Sequence, residues 1–112
     1  MTVTVRAGDL RHRVRLERRI DGYDESGSRE ETWQKIGTRW AQVRPMSQRA
    51  LIAAREAGLK LTHEVEVRYP APMSGVDRIV FRGRTLYPEG PPMDVDEARV
   101  KIVYRCEERV DP

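Results

Sequence analysis

Between Leu10 and Leu16 the chain alternates without a break: Leu10, His12, Val14 and Leu16 take one parity, and Arg11, Arg13 and Arg15 take the other. Successive side chains of a strand point to opposite faces, so a period of two predicts a half-buried strand. One face supplies the core and the other carries a row of guanidiniums. Like charges two residues apart on one strand repel each other, so something acidic is expected across that row. The pattern leaves open whether this is another subunit, another part of the chain or a nucleic acid.

The size of 112 residues fits one domain with a single modest core, residues 1–112, with residues 1–9 as an N-terminal arm and residues 46–61 as a helix or loop insertion. No apolar stretch is long enough to span a bilayer and residues 1–6 lack the apolar block of a signal peptide, so an intracellular protein with no membrane partner is expected. The single cysteine, Cys106, has no internal partner, which agrees with a reducing compartment. With 38% apolar and 35% charged residues, the monomer hides little surface and carries many groups able to pair across interfaces. A net charge of only +3 makes bulk charge weak support for nucleic-acid binding. The bias to arginine among the basic residues is what a genome rich in G and C would produce, although the planar guanidinium also suits carboxylate pairing between subunits.

After a strand over residues 10–18, the polar run 21–28, which contains Asp24 and Glu25, reads as a long, mobile hairpin connection. Two short strands are expected near residues 32–36 and 39–44, with Trp33 and Trp40 as core anchors. Ser47 can cap a helix that runs to about Ala57, with Gly58 placed to terminate it. Its stripe of Ala50, Ala53, Ala54 and Ala57 is smooth enough either to plug the end of the sheet or to pack against copies of itself. Alternation returns over residues 62–69 and 99–107, and a hairpin turns at Gly83 between residues 78–84 and 85–87. The expected core comprises Leu10, Val14, Leu16, Trp33, Trp40, Val65, Val67, Phe81 and Ile102. The fold class is all-β: a small antiparallel barrel or sandwich of six to seven short strands with one short helix or long loop.

No Gly-rich phosphate loop, HExxH, CxxC or nucleophile elbow occurs, so neither catalysis nor a cofactor is expected. His12, His63 and Cys106 fall on inward parities without a ligand neighbour at short spacing, so no metal site is expected either. Glu64 and Glu66 share a face with Arg68, the arrangement of a charge ladder and not of an acid and base pair.

Several pieces in order carry a resemblance that spans nearly the whole chain. They are Gly8, Leu10, Arg11, His12, Arg13 and Val14; Asp24 and Gly27; Trp33; Trp40, Ala41, Val43 and Pro45; Thr62, His63, Val65, Val67, Arg68 and Tyr69; and Arg78, Gly83 and Arg84. Together they resemble phage head closure proteins, also called head-tail joining or stopper proteins. The resemblance implies a small β-barrel that forms a ring, a hexamer or dodecamer, in the neck of a phage, a prophage-derived particle or a gene transfer agent. Its implied partners are copies of itself, the portal or adaptor ring, the tail terminator or tail tube, and the packaged DNA in the channel. Assembly in the bacterial cytoplasm follows from the same likeness. By position in the family pattern, residues 46–61 are expected to approach the channel, with Gln48, Arg49, Ala50, Ala53, Ala54 and Ala57 facing it or neighbouring subunits. Arg11, Arg13, Arg15, Asp24 and Glu25 are the expected partner contacts. The run from Pro88 to Pro92 departs from the family pattern.

Two other functions remain in view. One is a nucleic-acid-binding barrel that grips phosphates with the arginine row, disfavoured here because Trp33, Trp40, Tyr69 and Tyr104 are expected inward, leaving few rings to stack on bases. The other is a tail terminator or adaptor of the same assembly.

Overall fold

Alternation organises the whole of the computed structural model, which describes residues 2–110. Its strands are β1 (His12–Tyr23), β2 (Arg29–Pro45), β3 (His63–Arg68), β4 (Arg78–Phe81), β5 (Arg84–Pro88), β6 (Met93–Asp94) and β7 (Lys101–Arg109). A single α-helix, α1 (Gln48–Glu56), lies between β2 and β3. The strands are hydrogen-bonded in the order β3-β2-β1-β4-β5-β7-β6, and β3 also pairs with β7. That pairing, from His63 opposite Cys106 to Arg68 opposite Lys101, closes the antiparallel sheet on itself.

Inside the closed sheet, the inward parity of every strand but β6 contributes to one cluster: Val14, Leu16, Ala41, Val65, Val67, Ile79, Phe81, Leu86, Ile102, Tyr104 and Cys106. Leu10 is buried as well. Tyr104 is the largest fully buried side chain, and its hydroxyl donates to the Pro72 carbonyl at 2.6 Å, so the polar tip of the ring is satisfied. Burial pushes the Tyr104 hydroxyl up to about 12, and burial with the nearby Glu89 carboxylate pushes the Cys106 thiol up to about 12.

The tryptophans correct the expected core. Trp40 is 54% exposed and Trp33 is only half-buried. The reason is parity: Ala41 and Val43 turn toward the core, which puts Trp40 on the opposite face. The two short strands expected over residues 32–44 are one, because a bulge carries the ladder through: Leu16 pairs with Gly37 and Glu17 with Lys35, leaving Ile36 as the extra residue. The supposedly mobile connection is also short. β1 and β2 run on to Tyr23 and Arg29, and residues 24–28 make a tied turn in which Asp24 Oδ1 accepts from the Ser26 and Ser28 amides at 3.0 and 2.9 Å. Val103, on the opposite parity to Ile102 and Tyr104, is buried as well, where Met93 of β6 pairs with it.

The helix forms as its sequence dictates. Ser47 caps it by accepting from the Ala50 amide at 3.2 Å, and Gly58 follows with φ of +79°. Ala54 is its one buried residue, and α1 makes only sparse contact with the strands.

Truncating Leu16 to alanine should cost roughly 2–5 kcal/mol, as large-to-small changes in cores do, whereas Trp40→Ala should cost about 1 kcal/mol or less. Denaturant midpoints of the two variants against the parent check this ordering. Cys106 should stay unmodified by a thiol reagent at neutral pH until the protein unfolds, because neither access nor thiolate is available in the native state.

Candidate assembly surface

Closure of the sheet uses only part of the β1–β2 hairpin. β1 meets β4 over Arg15 to Glu17, and β2 meets β3 over Ala41 to Pro45. Residues 18–23 pair solely with residues 29–34, so this stretch stands away as a two-stranded arm about 20 Å long at the usual strand rise. The molecule measures 56 × 31 × 25 Å, elongated as such an arm requires.

The base of the arm is braced on the outer face of the sheet. Glu17, only 5% exposed, pairs with Arg15 at 2.8 Å and with Arg78. Arg78 also lies over the Trp33 ring at 3.9 Å, and Trp33 meets Tyr87 edge-on at 6.4 Å. Asp77 accepts from the Arg19 amide at 2.8 Å and donates its own amide to the Glu17 carbonyl at 2.9 Å. Arg18 packs so closely on Gly75 that a Cβ there would meet its guanidinium at 2.5 Å, and Gly75 also needs its φ of +77°. The arm therefore leaves the sheet at a fixed angle. Sequence reasoning missed Glu17 and Arg78 as a pair. The available signal was Glu17 itself, the first acid on the parity of Arg11, Arg13 and Arg15.

At the other end of β1 lies a different surface. Arg13 donates to Thr38 Oγ1 at 2.7 Å and lies over the Trp40 ring at 5.3 Å. Trp40, Ala7, Leu10 and Arg68 line a mostly apolar pocket of about 370 Å³. Arg11, Arg13 and Arg68 form no ion pair with any carboxylate among the described residues. Thus the row of arginines divides: Arg15 finds its acid two residues along its own strand, while Arg11 and Arg13 do not, and Arg13 lies over an exposed tryptophan.

The remaining expected contacts are spread over three places. Asp24 and Glu25 sit in the turn at the arm's tip. On α1, Gln48, Arg49, Ala53 and Ala57 are exposed, Ala50 is half-buried and Ala54 is buried. Ala50, Ala53, Ala54 and Ala57 border a groove completed by Leu59, Leu61, Glu64 and Arg105.

His12 stacks edge-on against Phe81 at 4.8 Å, and its Nδ1 is buried without a hydrogen-bond partner. Burial first, and then Arg82 and Arg11, hold this imidazole below its ordinary value. His63 is also lowered, chiefly by burial, with Glu108 pulling upward and Arg84 downward. The hydrogen bonds from Arg84 hold the Glu108 carboxyl below the usual range. Three or more histidine, cysteine, aspartate or glutamate side chains nowhere converge to hold a metal ion among the described residues, and no described helix is long and apolar enough to cross a membrane.

Both imidazoles should titrate below about 6.5 in an NMR pH series. Because folding lowers these values, the stability they contribute is complete above the unfolded value and is lost as pH falls through it toward the folded one. Glu108 acts in the same direction lower on the scale. A His63 value above that of a free imidazole would mean that Glu108, not burial, dominates there.

A model of the phage head completion protein family matches residues 5–109. A protein of Shigella flexneri 2a with a known solution structure superposes with a TM-score of 0.74 at 26% identity, covering 96% of this chain and 100% of its own. No curated protein matches. With the family match spanning the arm, the closed sheet and both candidate surfaces, the chain belongs to the phage head completion protein family.

Proposed function

We propose that the chain is a structural ring component in the neck of a tailed phage or phage-like particle. It is assembled in the bacterial cytoplasm, joins the portal or adaptor ring to the tail terminator or tail tube, and helps retain packaged DNA. The family match over residues 5–109 carries this reading. The lean core and abundant surface charge agree with a subunit whose life is spent against partners. In this reading the ring holds six or twelve copies. Residues 46–61 approach the channel, and the small-residue stripe of α1 allows copies to crowd together.

Particles made without the chain should contain heads that lose their DNA and carry no tails, with both defects reversed when the chain is restored. Normal tail attachment in its absence would contradict the proposal. For α1, amide hydrogen exchange in the free protein should be much faster than in β3 and β7, because little apolar surface holds the helix to the sheet. Protection of α1 equal to that of the strands would remove the case for a segment ordered by its neighbours.

One observation favours a second reading. The exposure of Trp40 between Arg13 and Arg68 puts an aromatic ring on the basic face, the stacking element that the sequence had placed inward. If that face binds DNA, affinity for short duplexes or single strands should be appreciable at physiological salt and fall steeply as salt rises.

A further inference from the structure

The two ends of the β1–β2 hairpin are opposite in charge. Residues 21–31, the distal arm, hold five carboxylates (Asp21, Asp24, Glu25, Glu30 and Glu31) against one arginine, Arg29. Asp21 and Glu31 are occupied by Arg19 and Arg29, and Asp24 by the turn, which leaves Glu25 and Glu30 with no ion pair among the described residues. Tyr23, 78% exposed, is paired with Arg29 two residues from Glu25, on the face of the arm opposite to Glu30. At the proximal end, Arg68 lines the apolar pocket with Ala7, Leu10 and Trp40, and Arg13 lies over the Trp40 ring.

Ten residues of strand separate Arg13 from Tyr23, about 33 Å at the usual rise, and the braced base keeps the arm from folding back. A copy therefore cannot satisfy its own pocket. A contact between two different patches of the same chain is heterologous, and repeated contacts of that kind either close into a ring or run on as a filament.

We infer that the arm of one copy docks on the next copy, with Tyr23 seated in the pocket of Ala7, Leu10, Trp40 and Arg68, and with Glu25 facing Arg13 and Arg68. This inference supplies the interface that the ring in the proposed function requires and rests on that reading only for the closure of the ring. The arm-to-pocket contact itself needs no other particle component. Its fixed departure angle lowers the cost of ordering the arm on binding.

Disulfide trapping tests the contact in the full-length protein at millimolar concentration, because it captures weak encounters. Ser28→Cys places a thiol at the arm's tip and Ala7→Cys places one at the pocket's rim, while the native Cys106 is buried and silent. A mixture of the two variants should give a covalent heterodimer under mild oxidation, and a chain carrying both substitutions should give a ladder of oligomers. The double reversal Arg13→Glu with Arg68→Glu should abolish the ladder, as should Glu25→Arg. All three substitutions together should restore it. Dimers formed by Ser28→Cys alone would show tip-to-tip contact and overturn the inference, as would failure of the three charge reversals together to restore the ladder. Loss of duplex-DNA binding in the Arg13→Glu, Arg68→Glu variant, with no mixed crosslink in the parent background, would assign the pocket to nucleic acid and also overturn it. Tail-less particles accompanied by no mixed crosslink would leave the neck function standing and remove only the arm-to-pocket contact.

Discussion

Pairing of β3 with β7 is the constraint on which the rest of the structure depends, because it turns a meander of short strands into a sheet with an inside. A closed sheet has few free edges and one enclosed core, so each strand needs only a few inward side chains. That is how a chain with 38% apolar residues builds a core around Tyr104, Leu16 and Ile79. Closure also sets the length of each strand that takes part in it. β1 and β2 exceed that length and, with no third strand beside them, their surplus becomes the arm.

Electrostatics then decides what the outer face does. Glu17 and Glu66 are almost fully buried carboxylates, and each is neutralised from two sides, Glu17 by Arg15 and Arg78, and Glu66 by Lys101 at 3.2 Å with Arg44 at 3.9 Å. Removing one partner of such a cluster leaves a charge without compensation, so these groups fix position more than they add net stability. The Glu17 cluster fixes the root of the arm. Arg13 and Arg68, which have no carboxylate partner among the described residues, meet at Trp40.

Much of the fold was legible because period-two alternation and capping are local. The inward residues of β1, β3 and β7 followed from parity, and Ser47 and Gly58 bracketed the helix. The errors came where a local pattern needed a non-local fact. Trp40 and Ala41 are neighbours of opposite parity, and nothing in the sequence near them says which faces the core; the pairing of Ala41 with Val67 and His12 does. The bulge at Ile36 is invisible for the same reason. The polar run 21–28 resembles a loop in composition, since an arm with no core to cover needs no apolar face and is held by ladder hydrogen bonds and surface pairs such as Arg19 with Asp21. Asp24 and Glu25 were candidate contacts, but their place at the tip of a two-stranded arm was not foreseen.

Imaging the neck of an intact particle at a resolution that traces strands tests most directly the claim that this chain is a ring subunit joined by its own hairpin. The map should contain a closed ring between head and tail in which every arm crosses to the next subunit and ends over its Trp40. A ring whose arms point into the channel or along the tail, with Trp40 against DNA or against another protein, would contradict that claim.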